Sequence, residues 1–245
     1  MILMAGSFLA ADKDDLSAAI AKLAAADNYS WKSTPTNIPP PGAAADAGGG
    51  QRRGRGGGFG AGAVDGKAQK DGLIYVSMPG RGGAVTEGFV KGAKGAIKAG
   101  EEGWSSLAEA TADDGGGGFN MARFAAMRVQ NIKSPADAAK DLLAKTKSIS
   151  LKDGAYIGDL TEEAVKTLMS VGGRGGGDGP EISGAKGSVK FWVKDGMLIK
   201  YETTAQGTMS FGGNDMERNT VTTVEIKDVG ATKLDVPDDA KKKMS

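Results

Sequence analysis

Between Ser188 and Phe211 the chain alternates apolar and polar residues in two runs separated by Asp195-Gly196. In a strand successive side chains point to opposite faces, so Val189, Phe191 and Val193 share one face. On the return run, Met197, Ile199, Tyr201, Thr203 and Ala205 share one face. A two-residue turn at Asp195-Gly196 would set Val193 against Leu198 and Phe191 against Lys200, mixing the faces. A three-residue loop of Lys194, Asp195 and Gly196 sets Val193 opposite Met197, Phe191 opposite Ile199 and Val189 opposite Tyr201, and keeps one side apolar. The pattern therefore predicts the longer loop, with Lys190, Lys194 and Lys200 facing water. Met209, Phe211, Val224 and Ile226 extend the same apolar face along the second strand and the T-rich strand that follows it.

Elsewhere the periodicity predicts a helix over 12–26, with Leu16, Ile20 and Leu23 at helical spacing and acids in its first turn. NYSWKST reads as a strand with Tyr29 and Trp31 on one side. DGLIYVSM, AVTEGFVKG and GAIKAG read as three further strands, with a turn at 79–83. EEGW leads into a helix at about 104–112, and DDGGGG breaks it. FNMARFAAMRVQNI is amphipathic. Ser134 followed by Pro135 is a strong helix start. SISLKDGAYIGDL is a strand pair turning at Asp153-Gly154, and DLTEEAVKTLMS is a helix capped by Asp159 or Thr161. After the long hairpin come a turn at FGGND, a strand around RNTVTTVEIKDV, and a tail, TKLDVPDDAKKKM, read as a short strand and a polar end.

The strands follow one another through short turns rather than through helices. That order predicts an α+β fold: a curved antiparallel sheet, or half-open barrel, with helices covering its concave side.

Composition changes this picture in three places. Between Gly42 and Gly66 there are 11 glycines in 25 positions, after the run IPPPG. The stretch is too poor in apolar residues to fold, so 37–67 is read as a disordered insertion, with a second at 172–183. Removing them leaves roughly 190–200 residues, which suits a single domain over 12–240. Next, the chain has no histidine and no cysteine. That removes the usual general base, the thiolate nucleophile, disulfides and the commonest metal ligands. No carboxylate or lysine pair suggests catalysis, and no cofactor motif is present, so the chain reads as a non-enzyme with no catalytic or metal-binding residues. Finally, the first eleven residues, MILMAGSFLAA, look like the later part of an export signal without its basic start, or an apolar extension of the first helix. No segment is apolar for long enough to span a bilayer as a helix. Export to the periplasm or the exterior is expected.

With 31 basic and 30 acidic residues the net charge is +1, so no global field favours nucleic acid. RRGRGGGFG at 52–60 and GGRGGG at 172–177 have the flavour of RGG boxes, but only Phe59 is aromatic there. A soluble linker is the better reading, and a nucleic-acid partner is disfavoured. The acidic pairs Glu101/Glu102, Asp113/Asp114 and Glu162/Glu163 lack the spacing of a calcium loop. The methionines Met121, Met127, Met169, Met197 and Met209 suit either an adaptable lining or ordinary gap-filling.

GSVKFWVKDGMLIKYETTAQGTMSF (187–211) and TVTTVEIKDVGATKLDVPDDA (220–240) resemble the C-terminal half of LolA/LprG-like proteins, and the early Y-S-W-x-S fits the opening of that fold. DLTEE, KGSVKFWVKDG and TTVEIKDVG are similar to segments of a group of exported bacterial proteins. The resemblance covers roughly 12–36 and 68–240. It implies a half-open barrel closed by helices over an apolar cavity, in a family whose members carry lipids or lipoproteins across the periplasm. The expected partner is a lipid acyl chain or a lipidated protein. Val189, Phe191, Val193, Met197, Ile199, Tyr201, Met209, Phe211, Val224 and Ile226 would line its cavity. The same residues are equally read as ordinary core beneath packed helices, which would make the chain a cell-envelope scaffold or interaction module.

Overall fold

A computed structural model of the chain describes residues 5–39, 62–80, 83–112, 121–170, 181–211 and 213–245. The Arg/Gly runs at 52–60 and 172–177, with Phe119 and Asp113/Asp114, lie outside them.

The described residues form one antiparallel sheet and several helices. The N-terminal helix α1 (Ala5–Ala24) is followed by β1 (Asn28–Asn37), β2 (Val64–Gln69), β3 (Leu73–Pro79), β4 (Val85–Lys91) and β5 (Lys94–Ala99). A two-residue edge strand, β6 (Ser105–Ser106), leads into α2 (Leu107–Thr111), α3 (Met121–Gln130) and α4 (Pro135–Ala144). Then come β7 (Ser150–Lys152), β8 (Ala155–Asp159), α5 (Glu162–Met169), β9 (Glu181–Lys194), β10 (Met197–Phe211), β11 (Asn214–Lys227) and α6 (Asp238–Lys243). The sheet order is β6-β5-β4-β3-β2-β1-β11-β10-β9-β8-β7. Each hairpin partner is its sequence neighbour, and β11 returns to pair with β1. Both edges are very short strands, which limits edge-to-edge pairing with other chains. The curved, open α+β sheet expected from the strand order is the observed architecture.

The sheet's inner face meets α1 and α5 over β9 and β10, with α4 packed on α1, and meets α2 and α3 over β4 and β5. Leu16, Ile20 and Leu23 of α1 are buried, as their spacing requires. Caps fix where the helices begin. The Ser134 hydroxyl accepts from the Asp137 amide with Pro135 in the first turn, and Thr161 accepts from the Ala164 amide. Ser106 and Glu109 form a reciprocal capping box on α2.

Four expectations are corrected. Helix α1 begins at Ala5, so Asp12, Asp14 and Asp15 lie in its middle rather than in its first turn. Residues 64–67, read as part of the glycine-rich insertion, belong to β2, where Val64, Gly66 and Ala68 point inward. Pairing with β1 on one side and β3 on the other supplies the order that their composition does not. The tail has no strand. Residues 228–245 cross the rear of the sheet as loop and α6, burying Leu73, Phe89 and Ala96 against Ala240. Strands β3–β5 are therefore covered on both faces. The fourth correction concerns the long hairpin.

Candidate functional site

Asp195 and Gly196 both have positive φ, 53° and 70°. They form a two-residue turn of the type that matches strand twist, with Lys194 opposite Met197 and Val193 opposite Leu198. This is the turn that simple alternation rejects. A β-bulge at Ile199 resolves the conflict. The register shifts between Leu198 and Lys200, and beyond it Phe191 faces Tyr201 and Val189 faces Thr203. The extra residue lets Leu198 and Tyr201 both point inward, three positions apart. Leu198 is fully buried, while Ile199 is 36% exposed and points away from the interior. Ile199 therefore leaves the expected lining and Leu198 replaces it. The pairs Val193–Met197, Phe191–Ile199 and Val189–Tyr201 do not form.

The inner face otherwise gathers the expected residues. Val189, Phe191, Tyr201, Met209, Val224 and Ile226 are all buried on it, in one cluster with α1, α4 and α5. Phe191 and Tyr201 lie with ring centroids 6.1 Å apart and planes inclined at 44°, a favourable tilted contact. Val193 and Met197 are half-buried at the rim of the same cluster. The side chain of Phe211 is outside the described residues; its backbone pairs with Asn214. Thr203 and Ala205, which alternation places on the same side as Tyr201, are buried on this face between Tyr201 and Met209.

On the opposite face Lys200 lies over the Trp192 ring at 4.6 Å, with Lys190 and Glu202 as neighbours. Burial, with nearby Tyr29 adding to it, pushes the Tyr201 phenol up. Burial also pushes Tyr29 up, partly offset by hydrogen bonds to Ser134 and the Ala136 backbone. Both phenols stay neutral at any ordinary pH, so this is an uncharged, apolar interior.

Two ends of that interior differ. Toward β2–β5 the helices approach over glycines. A Cβ on Gly66 would lie 2.1 Å from the Trp31 ring, one on Gly88 2.5 Å from Val129, and one on Gly95 2.4 Å from Leu107. There the space is filled by the protein's own side chains. Toward the far ends of β9–β11, strands of 14, 15 and 14 residues, the inner face continues past α5. Met209 is buried near Met169, while Met216, paired with it, is 61% exposed. The Arg218 guanidinium reaches the same place, with Nε donating to the Thr220 hydroxyl at 3.3 Å and Nη1 lying 4.0 Å from the Met209 sulfur.

No protein-family model matches the chain, and no curated protein sequence matches it. Among the solved structures similar to it are two from mycobacteria. LprF from Mycobacterium bovis aligns over 94% of this chain and 98% of its own, with a TM-score of 0.46 and 11% identity. The Mycobacterium tuberculosis lipoprotein LppX aligns over 96% and 100%, with a TM-score of 0.44 and 12% identity. The likeness is one of overall chain path. Among the described residues no helix is long and apolar enough to cross a membrane.

Proposed function

We propose that the chain is an exported, non-enzymatic binding protein that takes an acyl chain, of a lipid or a lipidated protein, between its sheet and its helices. One observation carries this reading. On the inner face of β10, Tyr201, Thr203, Ala205 and Met209 are buried, Gly207 is half-buried against Met169, and exposed Met216 lies beside Met209 on β11. Methionine is flexible and polarisable, which suits a mouth through which a disordered chain enters. Each methylene buried there contributes about 0.8 kcal/mol, so a few suffice to offset displacement of α5. The lack of histidine and cysteine throughout the sequence fits binding rather than catalysis.

The glycine contacts under α2 and α3 favour a second reading, an envelope scaffold whose interior is filled by its own side chains. Native mass spectrometry of protein purified from its own host, before and after delipidation, separates the two. A co-purifying lipid, or a mass gain and fluorescence change with fatty acids, phospholipids or lipopeptides, supports the carrier. Neither effect with any of these leaves the scaffold.

A further inference from the structure

A pocket of about 240 Å³ lies at the far end of the long strands, lined by Ile38, Lys186, Gln206, Thr208, Glu217 and Asn219 around the backbone of Gly184, Gly207 and Arg218. It opens on the face opposite the proposed acyl interior. A Cβ on Gly207 would meet Met169 of α5, so Gln206 and Thr208, on either side of it, point away from that helix.

The register assembles the walls. Gln206 pairs with Asn219 on one side and Lys186 on the other, Thr208 pairs with Glu217, and the Ile38 amide donates to the Asn219 carbonyl at 2.8 Å. A β-bulge opposite Gly207, with Gly184 at φ +62°, opens the floor. Among the described residues, none of the side chains of Lys186, Gln206, Thr208, Glu217 and Asn219 has a hydrogen-bond or ion-pair partner in the protein. The Asn219 Oδ1 is shut off from solvent and unpaired. A buried acceptor without a donor is rare in folded proteins, and a turn of the Asn219 amide toward the pocket would present it to an external donor.

We propose that this pocket binds a neutral saccharide unit. The lining mixes donors (Lys186, Gln206, Thr208) with acceptors (Glu217, Asn219, Gln206) and lets neither charge dominate. Hydroxyls, each donor and acceptor at once, match such a set, and the half-exposed Ile38 offers an apolar patch to the C–H face of a sugar ring. The volume is below the ~300–1,000 Å³ of pockets for drug-sized ligands, so the ligand is a single small unit rather than a peptide or a folded partner. The site shares no side chain with the proposed acyl interior and stands or falls independently of it.

The test is an ¹H–¹⁵N NMR titration of the full chain with glucose, galactose, N-acetylglucosamine and maltose, with glycine and inorganic phosphate as zwitterionic and anionic comparators. At least one sugar is expected to shift the amides of Gln206, Thr208 and Asn219. Gln206→Ala and Asn219→Leu are each expected to weaken that binding by about tenfold, as for a lost hydrogen bond. Lys186→Ala, at an exposed position, serves as a third variant should either of these lose the native spectrum. The proposal is overturned if no sugar shifts these amides, if the shifts map elsewhere, if only glycine or phosphate binds, or if folded variants bind as tightly as the parent chain.

Discussion

The β3–β5 end of the sheet and the far end of β9–β11 are built from the same kind of antiparallel hairpin, yet they are finished in opposite ways. At β3–β5 both faces are covered. The inner face lies under α2 and α3 through glycine contacts, and the outer face carries Phe89 between Tyr75 and Trp104, 5.0 and 5.4 Å away, beneath the C-terminal segment. At the far end of β9–β11, among the described residues, only the inner face is covered, and only in part. The first end is built for rigidity, since close packing on both sides leaves no room to rearrange. The second has length to spare and, among the described residues, few contacts at its tip, which is where a binding protein needs to give.

Substitutions should expose this gradient. The largest effect is expected at the root of the long hairpin, where Phe191 is fully buried against Tyr201. Phe191→Ala should cost about 4 kcal/mol in chemical denaturation, as a large cavity in a packed core does. A loss under about 1 kcal/mol would mean that the interior there is already loose. Next is Gly66→Ala, whose new methyl would fall within the Trp31 ring. It should destabilise by about 3 kcal/mol, because neither β1 nor β2 can retreat from its neighbours in the sheet.

A change of pH should weaken the covered regions selectively. All four tyrosines have raised pKa values, chiefly through burial. Tyr75, which also donates to Glu87 at 2.6 Å, is pushed up to about 12 from the ordinary phenol value. A phenol whose folded pKa is raised contributes stability that is complete below the unfolded value and is lost as pH climbs through the folded one. Stability should therefore hold to about pH 10 and fall between there and about 12. Absorbance titration should find less tyrosinate at about pH 10 in the native chain than in the unfolded chain, where about half is ionised. A native midpoint near 10 would place these rings in contact with water.

The sequence announces some of these features and conceals others for physical reasons. Caps are local chemistry, so Ser134-Pro135 could be read directly and the cap of α5 narrowed to Asp159 or Thr161, of which the structure has Thr161. The general run of strands and turns, and with it the open antiparallel sheet, followed from alternation. The bulge at Ile199 could not, because alternation assumes a constant period of two and a bulge is a break in that period. The tripeptide Lys-Asp-Gly occurs at 70–72, 152–154 and 194–196. The last two copies form the same two-residue turn, with Asp153 and Asp195 at φ 51° and 53°, while the first is a three-residue loop between β2 and β3 in which only Gly72 has positive φ. Local sequence therefore allows either loop, and the strands on each side decide between them. Strand β2 was hidden because its order comes from neighbours 30 residues or more away in sequence at β1. The same holds for the C-terminal segment, which is held by the Lys67 ammonium on the Lys233 carbonyl and by Asn28 on the Thr232 amide. The gathering of Val189, Phe191, Tyr201, Met209, Val224 and Ile226 on one face was legible; Leu198 in place of Ile199 was not.

The two smallest effects address the tip. Gly207→Ala is the counterpart of Gly66→Ala: its methyl would meet the Cε and Sδ of Met169 at 3.1 Å, the movable end of a flexible side chain, besides the Ser183 carbonyl at the same distance. It should cost about 1 kcal/mol, the lower end of the range for added bulk. A penalty equal to that at Gly66 would show the tip to be as closed as the rest. Met216→Ser goes further. The side chain is mostly exposed, so stability should change by no more than about 0.5 kcal/mol. Yet if acyl chains pass over Met209 and Met216 on their way in, this substitution should slow the uptake of a fluorescent fatty acid severalfold while leaving denaturation untouched. Unchanged uptake by a fully folded Met216→Ser protein would remove the tip from the binding path, and with it the functional meaning of the difference between the two ends.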